Sequence, residues 1–186
     1  MIPYTVDRRP DTGVTNVTMA MWLFLSSEVM LFGSLTSAYA LLRVAAPTWP
    51  DAAGVLDLRV GALHALVIAA ATAAVWRARA TTASPLRRRL AASALLGMLF
   101  VAVQVMEYQR LVAAGLLPAV NTFIALYFTL TGVHVLHVVG GVAANMWVLQ
   151  GATSAAPLTA GRVHALSLYW LFVSLAWLAV FSLLCL

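Results

Sequence analysis

Five stretches of the chain run apolar almost without a break: Thr18–Leu42, Leu58–Trp76, Leu90–Glu107, Asn121–Leu149 and Val163–Leu186. A helix crossing roughly 30 Å of hydrocarbon at 1.5 Å per residue needs about 20 such residues. Each stretch therefore predicts a membrane-spanning helix. The runs are continuous, without the two-residue alternation of a transmembrane β-barrel. The second is short and alanine-rich, and the fourth is long enough to tilt or to project beyond the bilayer.

Polar punctuation supports the same parse. All seven prolines (Pro3, Pro10, Pro47, Pro50, Pro85, Pro118 and Pro157) fall outside the five runs, where a missing N–H costs least. The tail Met1–Val17 is polar, with Asp7, Arg8, Arg9 and Asp11. Its mixed charge and the long apolar run behind it argue against a secretory signal peptide. The expectation is an all-α, polytopic transmembrane bundle of five helices forming one domain over residues 18–186. Connections of about 12–16 residues make sequential helices antiparallel neighbours. Small residues four apart, Gly33 with Ser37 and Gly140 with Ala144, offer places for close helix approach.

Composition agrees. The 186 residues are 63% hydrophobic and 9% charged, with a mean hydropathy of +0.94. Soluble domains are about 45–50% apolar and about 25% charged, so a water-soluble globule is excluded, as is a disordered chain. The single cysteine, Cys185, rules out a disulfide or cysteine–zinc scaffold.

The net charge of +5 comes from arginine alone, since the chain has no lysine. In a soluble protein this excess would point to nucleic acid; between apolar spans it reads as topology, with anionic headgroups second. Arg8, Arg9, Arg77, Arg79, Arg87, Arg88, Arg89 and Arg162 fall on one side, and Arg43, Arg59 and Arg110 on the other. That asymmetry predicts a cytoplasmic N-terminus and an outer, periplasmic C-terminus.

Ionisable residues inside the hydrocarbon carry the functional signal. Glu28 lies ten residues into the first span, about 15 Å deep. It reads either as a neutral acid hydrogen-bonded to a neighbouring helix or as a carboxyl handling protons or a subunit contact. His134 and His137, three apart on the fourth span, share a helical face at a similar depth. A Glu28–His134 or Glu28–His137 hydrogen bond follows as an expectation, satisfying two costly groups at once.

Three other readings compete. Histidines three apart can ligate metal in helical bundles, but such sites need several carboxylates, and only Glu28 lies at this level. A haem b anchor needs axial histidines on facing helices; His64, His134, His137 and His164 are available, with no two helices offering them clearly at one depth. A proton-coupled transporter built on Glu28 would usually show internal repeats or broken helices, and neither is evident. At the outer end of the third span Gln104, Glu107, Tyr108 and Arg110 form a polar cluster, where Glu107 could pair with His64 or Arg59. Trp49, Trp76, Trp147 and Tyr169 near span ends read as interfacial belts. Cys185 carries no chemistry beyond a small apolar side chain.

These residues resemble a known family. The stretch Met21-Trp-Leu-Phe-Leu-Ser-Ser-Glu-Val-Met-Leu-Phe-Gly33, running on to Tyr39, is similar to the Glu-bearing helix of cytochrome oxidase subunit III. Tyr127-Phe-Thr-Leu-Thr-Gly-Val-His-Val-Leu-His-Val-Val-Gly-Gly141 resembles that family's Thr-Gly-x-His-x-x-His helix. Gln104-x-x-Glu107-Tyr108, then Gly115, Pro118 and Asn121, match in order and approximate spacing. The resemblance covers the chain from about residue 18 onward and is to the short, five-helix bacterial form.

The last helix departs from the pattern. Where the family usually reads Tyr-Trp-His-Phe-Val-Asp-x-x-Trp, this chain has Leu171 for the His and Ser174 for the Asp. That departure fits a divergent oxidase, one embedded in a larger respiratory supercomplex, or the related subunit beside nitric oxide reductases.

The resemblance implies an accessory, non-redox subunit of a proton-pumping haem–copper terminal oxidase in the bacterial cytoplasmic membrane. Such a subunit has no catalytic residue, haem or metal of its own, because the redox centres lie in subunits I and II. It packs on subunit I, holds phospholipid between helices and supports proton uptake. By motif position Glu28 is the family's membrane-buried carboxylate, and His134 and His137 belong to its histidine helix.

Overall fold

In the computed structural model residues 13–50, 52–81, 83–151 and 156–185 are described. Most of the polar tail thus lies outside the described residues. The elements are α1 (Asn16–Ala45), the single turn α2 (Ala52–Val55), α3 (Leu58–Ala78), α4 (Ala83–Ala113), α5 (Thr122–Gly151) and α6 (Ala156–Cys185). Five of them, α1, α3, α4, α5 and α6, are long and apolar enough to cross a membrane.

Polar side chains set several helix starts. The Thr15 hydroxyl accepts from the Thr18 N–H at 3.2 Å, the Asp57 carboxylate from the Arg59 N–H at 2.9 Å, and the Asn121 side chain from the Ile124 N–H at 2.9 Å. Each satisfies one of the orphan amides at a helix N-terminus. Just past the end of α4, Gly115 has a φ of 75° that lets the Leu116 N–H turn back to the Leu111 carbonyl at 2.9 Å. A left-handed residue just past the last turn is the usual home of glycine.

The helices overrun the hydropathy boundaries. α4 is 31 residues long and α6 begins at Ala156, so the expected 12–16-residue connections shrink; only residues 79–82 separate α3 from α4. Hydropathy marks the part of a helix that lies in hydrocarbon. Backbone hydrogen bonding continues past it into the headgroup region, where arginine stems lie along the helix and their heads reach water. Pro85 and Pro157 consequently sit in the first turns of α4 and α6, positions whose N–H would be unpaired in any case.

α3, α4, α5 and α6 pack as a closed ring of sequential neighbours, α3 also contacting α6, while α1 lies outside against α6 and α5. The ring's interior holds Phe100, Trp170, Val173 and Trp177 together with Ile68, Leu90 and Val138. α1 buries only Leu25, Phe32 and Tyr39, spaced seven apart. One stripe of that width is what a peripheral helix presents to a bundle.

Glycine admits the largest side chains. A Cβ at Gly97 would lie 2.6 Å from Val142 and 2.9 Å from Trp170, and one at Gly141 would lie 3.0 Å from Trp170 and 3.1 Å from Tyr169. Gly140 likewise faces the Tyr169 hydroxyl at 3.2 Å, so α5 meets α6 closely along Gly140 and Gly141. Gly33 has nothing within 4 Å, and with Ser37 it stands on the exposed side of α1. Tyr169, expected at an interface, is buried inside the bundle at the level of those glycines. Because α6 starts earlier than its apolar run, this tyrosine falls well inside the helix.

Candidate functional site

α1 and α5 bring one carboxyl and one imidazole together midway along both helices. Glu28 Oε2 lies 2.7 Å from His137 Nε2. His137 Nδ1 lies 2.8 Å from the Val133 carbonyl, which can only accept, so Nδ1 carries a proton. Nε2 then accepts from a protonated Glu28 or, as an imidazolium, donates to its carboxylate. In both arrangements the pair shares the same protons and has no net charge. A hydrogen-bonded pair without net charge costs less in hydrocarbon than a lone carboxylate. Both side chains retain slight exposure, 13% for His137 and 14% for Glu28, so the pair lies at an edge of the bundle and not at its centre.

Several groups fix this pair. Phe32, one turn beyond Glu28, stands edge-on to His137 with ring centres 5.1 Å apart and also meets Phe172 at 5.7 Å. The Tyr169 hydroxyl donates to the His137 backbone carbonyl at 2.7 Å, tying α6 to the same turn of α5.

His134 shares a face with His137 in the helical count, yet the two rings part company. His134 is fully buried and donates through Nε2 to the Val173 carbonyl on α6 at 2.9 Å. Its Nδ1 has no hydrogen-bond partner among the described residues. Of the two expected carboxyl–imidazole pairings, the structure forms Glu28–His137. The reason is that a three-residue step turns His134 towards the ring interior and leaves His137 beneath the peripheral α1.

His64 is buried inside the ring. Its ring and that of His134 both pack on Phe100, at 4.4 and 5.2 Å, and on Trp177, at 5.1 and 5.0 Å. The two histidines therefore share two aromatic neighbours, one on α4 and one on α6. His64 Nδ1 lies 2.9 Å from the Val60 carbonyl and Nε2 3.2 Å from that of Phe100. Among the described residues no three His, Cys, Asp or Glu side chains gather as a metal site.

The outer cluster is arranged differently from expectation. Glu107 pairs with neither His64 nor Arg59. Its carboxylate takes a two-pronged contact from Arg110, Nε at 2.9 Å and Nη2 at 2.5 Å. A partner three residues along the same helix needs no tertiary placement and wins. Arg110 extends the contact to the Val55 carbonyl at 3.4 Å. Tyr108 meets the Thr131 hydroxyl at 2.7 Å, and Gln104 donates to the Tyr127 hydroxyl at 3.0 Å; both bonds join α4 to α5.

Sequence reasoning missed the polar ties buried between helices. Thr72 on α3 donates to the Trp170 carbonyl at 2.9 Å and lies 2.6 Å from the Ser174 hydroxyl, and Ser174 donates to the Ile68 carbonyl at 3.2 Å. Asn145 accepts from the Trp170 indole at 3.3 Å. Thr72, Asn145 and Ser174 each interrupt an apolar run, and that interruption was the available signal. Ser174, one of the two departures in the last helix, thus holds α3 to α6, whereas Leu171 is partly exposed.

The family model for cytochrome c oxidase subunit III matches residues 10–185. The cytochrome bo(3) ubiquinol oxidase subunit 3 of Pseudomonas aeruginosa is 28% identical, the match covering 95% of this chain and 87% of that one. A probable cytochrome c oxidase subunit 3 of Mycobacterium tuberculosis is 31% identical over 89% of this chain and 85% of its own length. A heme-copper oxidase subunit I+III of Aeropyrum pernix is 30% identical over 90% of this chain, which spans only 22% of that longer protein.

Proposed function

The chain belongs to the cytochrome c oxidase subunit III family, and on that premise we propose that it is the accessory, non-redox subunit III of a proton-pumping respiratory haem–copper oxidase. In this reading it is a multi-pass protein of the bacterial cytoplasmic membrane, N-terminus inside. It packs on subunit I beside subunit II, holds phospholipid against its helices and supports proton uptake by subunit I. Haem and copper belong to the partner subunits, and this chain contributes no catalytic residue. The fused subunit I+III relative supports subunit I as the neighbour.

One structural observation carries the reading: the Glu28–His137 contact at the α1–α5 edge. A carboxyl in mid-membrane is retained at a cost, and here it sits where a helix from outside the ring meets the ring. From that position the pair orders the protein–lipid surface beside subunit I without itself touching a redox centre.

Removing this subunit from the purified oxidase tests the proposal. The expected result is a complex that starts turning over normally, takes up protons more slowly and loses activity sooner. Unchanged proton uptake and unchanged lifetime would overturn the role. A Soret band in the isolated chain would replace it with a haem-bearing anchor.

A further inference from the structure

The two ends of the bundle differ in charge. Arg77, Arg79, Arg87, Arg88 and Arg89 gather where α3 ends and α4 begins, and outside the polar tail no acid lies at that end; Glu28 is midway, and Asp57 and Glu107 are at the other. Some of these arginines are engaged. Arg89 donates to the Arg77 backbone carbonyl, closing the C-terminus of α3, and Arg79 lies over the Trp76 ring at 4.4 Å.

Arg87 and Arg88 are not used in this way. Both are exposed. Among the described residues Arg88 reaches only the Ser84 hydroxyl at 3.2 Å, and Arg87 makes no hydrogen bond or ion pair. Together with Ala91, Met146, Leu149 and Gln150 they line an open lateral groove of about 440 Å³ between α4 and α5. The groove has two guanidiniums and one amide at its polar rim and an apolar wall running from there towards the membrane interior.

We infer that this groove binds one anionic phospholipid from the bilayer. Its phosphate sits between Arg87 and Arg88 within reach of the Gln150 amide, and an acyl chain lies along Ala91, Met146 and Leu149. Guanidiniums present paired donors to phosphate oxygens, and basic pockets between membrane helices recognise anionic headgroups. A zwitterionic lipid offers the same phosphate but brings an ammonium into an end of the molecule already crowded with positive charge. The site rests on the phospholipid-holding part of the proposed function and on nothing about redox chemistry, so lipid retention and enzyme turnover report on the two separately.

Native mass spectrometry of the intact, detergent-purified complex, titrated with phosphatidylglycerol or phosphatidylcholine, tests it. The wild type should retain one phosphatidylglycerol in preference to phosphatidylcholine. The double variant R87Q/R88Q should hold it about thirtyfold less tightly, each guanidinium near the surface contributing roughly fivefold, while R77Q keeps it. Met146→Trp, at an exposed position, should block the acyl wall with both arginines intact and so also lower retention. Equal retention by wild type and both groove variants, or no preference for the anionic lipid, would overturn the assignment. So would cross-linking of residue 88 to a partner subunit or to the Asp7–Asp11 tail in the wild type. Loss of lipid with unchanged turnover would leave the proposed oxidase role standing.

Discussion

At the scale of single residues, the roles at the Glu28–His137 contact are asymmetric. The Val133 carbonyl holds the proton on Nδ1, which leaves Nε2 as the face presented to Glu28. A glutamine at position 28 can donate its amide to that nitrogen, whereas leucine at 137 leaves a carboxyl without a partner in hydrocarbon. Glu28→Gln should therefore cost no more than about 1 kcal/mol, and His137→Leu about 1–3 kcal/mol. Denaturant unfolding of the purified chain in mixed micelles would check the order; equal losses would contradict this asymmetry. Glu28 and the two histidines were legible in the sequence, because an ionisable residue in a long apolar run has few innocent explanations. Which histidine meets Glu28 was not, because a helical face is broad enough to hold both and only the position of α1 distinguishes them.

Among the elements, close approach is governed by where glycine meets an aromatic ring. Gly97 and Gly141 both open space for Trp170, whose indole then reaches Asn145. Gly97→Ala should push α4 away from Val142 and Trp170 and cost about 1–3 kcal/mol, the usual range for overpacking. Gly33→Ala, with open space around its Cβ, should be neutral or slightly stabilising, since alanine is the better helix former by roughly 0.5–1 kcal/mol. Thermal unfolding of the two variants side by side separates the cases. By spacing alone Gly33–Ser37 and Gly140–Ala144 look alike; of the two glycines only Gly140 meets a neighbouring helix. Helix ends were partly legible, with Asn121 and Gly115 marking a start and a stop through their own chemistry, while the overrun of α4 was hidden by its polar, arginine-bearing first turns.

For the whole molecule, the distribution of arginine sets the expected orientation. Cys185 is the only cysteine, is exposed and lies at the end of α6 away from the arginine-rich turns. It offers a clean topological probe. A membrane-impermeant maleimide should label it from the outer side of sealed, right-side-out membranes, and C185S should abolish the signal. Labelling only after permeabilisation would reverse the orientation and place the Arg87–Arg88 groove in the opposite leaflet. The ring of α3 to α6 with α1 outside also predicts that α1 opens first. Its amides should exchange faster than those of α5 in hydrogen-exchange measurements, since α1 buries one narrow stripe and α5 one broad face.

The linear order of residues was enough to establish five membrane-crossing helices and a carboxyl in the bilayer, because both follow from the free energy of transferring side chains into hydrocarbon, a property each residue carries by itself. Partnership was decided by tertiary structure. Glu107 turned to Arg110, Ser174 to Thr72, His134 to Val173 and His137 to Glu28, since a polar group shielded from water bonds whatever donor or acceptor the packing places within about 3 Å. That distance depends on helix rotation and on which glycines let two backbones meet, quantities fixed only when all the helices are in place.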